Sequence, residues 1–275
     1  MPYSQSSVTC GRNIGTTAVV RRIIKTYFAP NSSAKQKRVG FGRLQIAATN
    51  GDSDAQFNVG LCFEIGDGIC RSFEMAVEWY ERAALAGHVH AQHNLGVCLE
   101  LGLGQAADAV KAAIVYRRAA MRGFADSQYN LGCLFFAGTG VSKNVRRAIL
   151  WFSRAASQGV SEASFNLGLI YDLGLGVAPN VHRAIEWYQV AANRGDVMAA
   201  SNLGQILCFG NSVVRSPSAG IKYLRHAAAM NDRVGLFNLA RCYEEGVGVR
   251  RNLCKSNALR EQIKERSKGS GVVDL

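Results

Sequence analysis

The sequence has only 4 prolines in 275 residues, no uninterrupted apolar run of 18 residues, and no acidic residue before Asp52. So few prolines exclude a collagen-like chain, although 29 glycines are present. The lack of a long apolar run gives no support to a membrane-spanning helix. A secretory leader is not expected, because no apolar core of ~7–15 residues precedes a small-residue cleavage site. What the chain does hold is apolar residues, 48% of the total, with 19% charged. That is enough for a sizeable core and excludes a wholly disordered chain.

The net charge of +12 is unevenly placed. Residues 1–51 carry eight Lys/Arg and no Asp/Glu, residues 52–248 carry 17 of each, and residues 249–275 carry seven against three. The excess therefore lies in the ends. A strongly basic chain suggests a nucleic-acid partner, but the neutral middle weakens that reading.

The middle is a repeat. Asn58-Val59-Gly60 returns as Asn94-Leu95-Gly96, Asn130-Leu131-Gly132, Asn166-Leu167-Gly168 and Asn202-Leu203-Gly204, and fades at Asn238-Leu239-Ala240. The period is 36 residues without a slip. Other columns keep the register: Gly66 with its copies to Gly246, the aromatic column of Trp79, Trp151, Trp187 and Tyr223, and the alanine pairs from Ala83-Ala84 to Ala227-Ala228. Ala55, Val59, Cys62 and Phe63 fall at helical spacing and predict a first helix of about three turns. Gly66 predicts its left-handed stop. Ala76, Trp79, Tyr80, Ala83 and Ala84 predict one face of a second helix, ended by Gly87. Asn231 fills the same closing column in the fifth place, where asparagine is the next most tolerant residue. The glycine of each Asn-Leu-Gly is expected at a close helix crossing. Each hairpin leaves apolar faces that only stacking can bury, so the expected fold is all-α, a right-handed α-solenoid of 36-residue helix-turn-helix repeats.

The order Ala…Asn-Leu-Gly…Tyr…Gly-x-Gly-Val…Ala…Trp-Tyr…Ala-Ala…Gly resembles the Sel-one-like repeat, a relative of the tetratricopeptide repeat. The clearest copy runs from Ala163 to Gly195, with Tyr171, Gly174-Leu175-Gly176-Val177, Ala184 and Trp187-Tyr188. The resemblance covers about residues 40–260. Ser212, Gly220 and Ala240 depart from it. It implies a non-catalytic scaffold or adaptor that binds protein partners.

The expected organisation is a basic N-terminal segment over 1–31, a half-repeat cap over 32–51, five regular repeats over 52–234, a degenerate repeat and cap over 235–268, and a tail over 269–275. In the first segment Val20, Ile23, Ile24, Tyr27 and Phe28 share a helical face, with Arg21, Arg22 and Lys25 opposite. An amphipathic, acid-free N-terminus is similar to a mitochondrial transit peptide, so mitochondrial delivery is expected and the segment is expected to be dispensable for the fold. A basic tail, or a helix docked on the end of the solenoid, fits the same pattern, and a cytoplasmic location is the alternative.

The 8 cysteines do not read as a disulfide framework. Cys62, Cys98 and Cys242 share a first-helix column, with Cys133 one place earlier and Cys208 two places later. Same-column residues of stacked helices lie ~8–10 Å apart, whereas disulfide Cα atoms need at most ~7 Å. Some members of the resembling family carry cysteines where Ala84 and Ala91 stand. Their absence here implies a reducing compartment.

No catalytic set emerges, and neither a cofactor nor a metal is expected. His88-x-His90-x-x-His93 with Cys98 downstream offers zinc-type ligands, but its spacing matches no zinc motif. Gly138-Thr139-Gly140-Val141-Ser142-Lys143 is similar to a phosphate loop, yet its glycines are the turn column of the repeat. The more informative feature is a wall. In tetratricopeptide-like solenoids the first helices line the concave face. One column there is Phe57, His93, Tyr129, Phe165, Ser201 and Phe237. Seven residues on lies Glu64, Glu100, Phe136, Asp172, Cys208 and Glu244, on the same helical face. The aromatics fit inter-repeat core equally well, but carboxylates are rarely buried unpaired. The expected ligand is a basic-apolar peptide or helix. Arg82, Arg117, Arg118, Arg146, Arg147, Arg154, Arg183 and Arg225 fall on the second helices. They support an alternative of a basic scaffold bound to RNA or a ribonucleoprotein.

Overall fold

The computed structural model describes residues 18–210 and 215–269. The expectation resting on Ser212 lies outside the described residues. Fourteen helices and no strand are found among them: α1 (Ala18–Tyr27), α2 (Ala34–Thr49), α3 (Ser53–Ile65), α4 (Phe73–Leu85), α5 (Val89–Leu101), α6 (Ala109–Met121), α7 (Ala125–Ala137), α8 (Val145–Ser157), α9 (Ser161–Leu173), α10 (Val181–Asn193), α11 (Val197–Phe209), α12 (Pro217–Ala229), α13 (Arg233–Glu245) and α14 (Leu253–Gly269). The fold is an all-α repeat solenoid. Two compact units divide it, residues 1–143 and 144–275, called here the N-terminal and C-terminal units.

The column residues act as the spacing predicts. Gly66, Gly102, Gly138, Gly174 and Gly246 end first helices at φ between 66° and 83°. Asn231, with φ 63°, is the non-glycine in that region among the described residues, and it closes α12 where other repeats use glycine. Second helices are capped by Ser72, Asp108, Asn144 and Asn180, whose side-chain oxygens accept from the backbone N–H three residues on at 2.9–3.2 Å.

The second turn glycine has a separate duty. A Cβ on Gly140 would lie 2.1 Å from the Ala109 carbonyl oxygen, at the start of the preceding second helix. Gly104 meets Phe73 and Gly68 meets Lys37 in the same way. The Gly138–Lys143 loop is thus a contact between repeats.

In the N-terminal unit a glutamine column stitches each first helix to the helix before it. Gln56, Gln92 and Gln128 donate Nε2 to the carbonyls of Ala48, Ala84 and Ala120 at 3.1–3.2 Å. In the C-terminal unit Arg194 makes a comparable bond, Nη1 to the Ala156 carbonyl at 2.8 Å.

Two expectations need correction. The boundary drawn between 234 and 235 falls inside α13, which is continuous. Residues 18–28, expected within a dispensable segment, instead pack on the fold. Val20, Ile23 and Phe28 are buried against Phe41, Leu44, Ala48, Val59 and Trp79, so α1 closes the end of the N-terminal core. The amphipathic period is present in α1, and its apolar face packs on the solenoid. Deleting residues 1–31 is expected to expose that core and lower stability on the order of 2 kcal/mol, after the ordering entropy of α1 is set against its burial. Urea midpoints of the full and shortened chains measure this, and equal midpoints would refute it.

Candidate functional site

Within each unit the predicted wall residues lie on the first helices. In the N-terminal unit α3, α5 and α7 carry Phe57, Glu64, His93, Glu100, Tyr129 and Phe136, all half-buried. In the C-terminal unit α9 and α13 carry Phe165, Asp172, Phe237 and Glu244, of which Phe237 is 50% exposed.

The carboxylates do not stand free. The buried Tyr80 hydroxyl donates to Glu64, Tyr116 donates to Glu100 at 2.8 Å, and Tyr188 donates to Asp172 at 3.2 Å. Each bond joins the two helices of one hairpin over a separation of 16 residues. Burial, then the Asp172 charge, raises the Tyr188 pKa, and burial also raises that of Asp172. Asn202 donates to the Tyr188 hydroxyl at 3.3 Å, so the asparagine column extends the bond into the next repeat. The sequence carries the signature of this arrangement. Where the tyrosine column holds Phe152 or Leu224, the acid column holds Phe136 or Cys208. Where it holds Arg260, the acid is Glu244.

The Arg260 case is distinct. From α14 its guanidinium pairs with Glu244 and lies 5.9 Å from the Phe237 ring centroid. One cation thus engages both wall columns of the last repeat.

The aromatic column mostly fills the junctions between repeats. Phe57 stacks on His88 with centroids 4.5 Å apart. His93 packs on Phe124 at 5.1 Å, and Phe165 lies 6.0 Å from Tyr188. Ser201 hydrogen-bonds Asp232. These rings face their neighbours and stay half-buried.

His88 and His93 have occupied nitrogens. His88 Nδ1 accepts the Ala91 N–H at 3.1 Å, capping α5, and Nε2 lies 3.3 Å from Asp54 Oδ1. His93 Nδ1 lies 3.0 Å from the Ser127 hydroxyl. Burial, followed by the charges of His90 and Arg122, lowers His88 to about 4. Burial and His90 bring His93 to about 4 as well. Cys98 is buried in the core, its thiol pushed up to about 12 by burial and by Glu64. Among the described residues no group of three His, Cys, Asp or Glu side chains converges on a metal-sized point.

The second-helix arginines are exposed, and several lie over rings. Arg82 sits 4.6 Å from the Trp79 ring and pairs with Glu78 at 2.5 Å. Arg154 sits 4.7 Å from Trp151, Arg183 5.2 Å from Tyr171 and Arg117 6.0 Å from Phe135. Among the described residues no helix is long and apolar enough to cross a membrane.

Comparison with known proteins agrees with this architecture. The family description "Sel1 repeat" matches residues 53–88, 89–124, 125–160, 161–196, 197–232 and 234–259. A search of curated proteins found no match. Among solved structures, a protective antigen present in uropathogenic Escherichia coli strains, displaying an SLR fold, is 31% identical with TM-score 0.78. That match covers 82% of this chain and 49% of the antigen, so the chain spans about half the antigen's length. A Sel1 repeat protein from Oxalobacter formigenes is 28% identical with TM-score 0.73, covering 90% of this chain and 97% of its own. With six repeat matches running from residue 53 to residue 259, on a helix pairing that each repeat reproduces, the chain belongs to the Sel1 repeat family.

Proposed function

We propose that the protein is a non-catalytic interaction scaffold whose first-helix face binds a partner segment bearing arginine or lysine among apolar residues. The observation that carries this reading is Arg260. The chain's own guanidinium takes up the aromatic–acid pair of the last repeat, over Phe237 and against Glu244. The same pair recurs in the N-terminal unit as Phe57 with Glu64 and His93 with Glu100, where tyrosine uses one carboxylate bond and leaves further acceptor capacity. A partner's cations would share those carboxylates while its apolar side chains cover the ring edges. Exposed ion pairs contribute only ~0.2–1 kcal/mol each, so burial would supply affinity and the acids specificity.

The full chain titrated against fluorescent peptides tests this. Basic–apolar peptides should bind, and acidic–apolar peptides of the same length should not. The double variant Glu64→Gln/Glu100→Gln keeps an acceptor for each tyrosine hydroxyl and removes the charge. It should weaken binding roughly threefold to thirtyfold, the size of one or two exposed pairs, with unchanged helical content. Binding that is indifferent to this change and lost on neutralising Arg117, Arg118, Arg146 and Arg147 would replace the reading with the RNA-bound scaffold.

A further inference from the structure

Two neighbouring second helices, α4 and α6, carry exposed stripes of opposite character. On α4, Glu74, Glu78, Glu81 and Leu85 recur at the spacing of one helix face, and all four are exposed. The same columns on α6 hold Val110, Ile114, Arg117 and Met121, exposed as well. In α10 the columns of Val110, Ile114 and Met121 are filled by His182, Glu186 and Asn193. Leu85 is 81% exposed and Met121 73%, so these large side chains do not serve the core. Apolar side chains gathered on a surface mark an interaction site.

The two helices are tied together at both ends. A Cβ on Gly104, in the turn that leads to α6, would lie 2.4 Å from the Phe73 carbonyl carbon at the start of α4. Arg122, just past α6, donates Nη1 to the carbonyl of Gly87, just past α4. They therefore run side by side in the same direction. Their charges oppose each other. α4 carries three glutamates against Arg82, whereas α6 carries Lys111, Arg117 and Arg118 with no acid. Its capping Asp108 is engaged by the Lys111 N–H at 2.9 Å.

We propose that α4 and α6 form a self-association surface, on which a second copy of the chain seats its α6 on α4 and its α4 on α6 about a two-fold axis. The glutamates of α4 would repel an anionic surface drawn to α6, and the cations of α6 would repel a basic one drawn to α4. A partner carrying both stripes answers both, and this chain is such a partner. Reversing a stripe of this spacing maps it onto itself, so antiparallel helices set Glu78 against Arg117 of the second copy and Leu85 against its Val110. Glu74 and Glu81 then face Met121 and Ile114, with Arg118 and Lys111 one turn away. Two helices of 13 residues, each about 20 Å long, make an interface at the small end of the range. The dimer is thus reversible and concentration-dependent. It uses second helices only, so it stands independently of the first-helix groove.

The test is sedimentation equilibrium of the nuclease-treated full chain, without any ligand, from about 1 µM to about 100 µM. The mass should rise from one chain to two, and added salt should weaken the rise. Arg117→Glu/Arg118→Glu makes both stripes acidic, and Glu78→Arg/Glu81→Arg makes both basic. Each variant alone should stay monomeric with unchanged helical content, because the four positions are exposed. Their equimolar mixture should regain the dimer, since each acidic stripe then meets a basic one. A wild-type chain that is monomeric throughout would overturn the proposal, as would a dimer that survives both charge reversals or variants that stay apart when mixed. Monomers that instead float with phosphatidylserine vesicles, and lose them in Arg117→Glu/Arg118→Glu, would assign the face to a lipid surface and equally overturn it.

Discussion

The N-terminal unit is expected to lose stability as pH falls from about 6.5 to about 4. His88 and His93 each have a folded pKa of about 4 against an ordinary 6.5. In that window the unfolded chain binds protons that the fold refuses, so stability falls with pH and levels off below about 4. The cause is geometric. His88 Nδ1 is the acceptor that caps α5, and a proton there ends the bond to the Ala91 N–H. The ring is sandwiched against Phe57, with His90 at a centroid distance of 5.7 Å and Arg122 adding like charge. Asp52, and Asp54 at 3.3 Å from Nε2, act in the opposite sense on His88, and Asp54 and Asp126 do so on His90, but burial is the larger effect at both. A shift of this size corresponds to at most about 3 kcal/mol per histidine, and the two share His90, so their effects will not add fully. Urea midpoints at pH 7, 5.5 and 4 measure the loss. His88→Asn keeps a capping acceptor and removes the titration, so its midpoints should fall less steeply. A midpoint in the native chain that is flat between pH 7 and 5 would sink the assignment.

The capping column explains why this sensitivity was not legible in the sequence. The column of His88 also holds Asp52, Phe124, Val160, Asp196 and Asp232, and its three aspartates cap their helices through a carboxylate. His88 shares the capping role of those aspartates, but as a neutral acceptor. His88, His90 and His93 present zinc-type ligands along the chain, but spacing says nothing about which nitrogens are already occupied. The acid column shows a related gap. Its position on the first-helix face was readable from the seven-residue offset, but its partner lies 16 residues on, in the second helix. Only comparing the two columns reveals that acid and hydrogen-bond donor change together. For α1 the period was legible and the destination was not, since an apolar face fits a membrane, an import receptor or a solenoid end alike. Glycine was the most readable residue of all, because a missing side chain at a fixed period leaves few explanations.

Gly168→Leu is expected to destabilise the C-terminal unit by about 3 kcal/mol or more. Even a Cβ at this position would lie 2.4 Å from Cδ1 and 2.5 Å from Cε1 of Tyr188. The ring cannot swing aside at little cost. Tyr188 is fully buried, and its hydroxyl is held between Asp172 at 3.2 Å and Asn202 at 3.3 Å. Relief must therefore come from separating α9 and α10, which breaks the Tyr188 bonds and opens the Ala184 and Ala191 packing behind them. Gly168→Ala should follow the same course with a smaller loss. Gly42 supplies the opposite sign. It too is a glycine inside a helix, but nothing lies within 4 Å of its would-be Cβ, so Gly42→Ala should be neutral or stabilise by up to about 1 kcal/mol through helix propensity. Two alanine substitutions with the same intrinsic preference thus separate packing from propensity. Equal urea midpoints for the two variants would mean that the Asn-Leu-Gly glycine does not set the approach of the helices within a repeat.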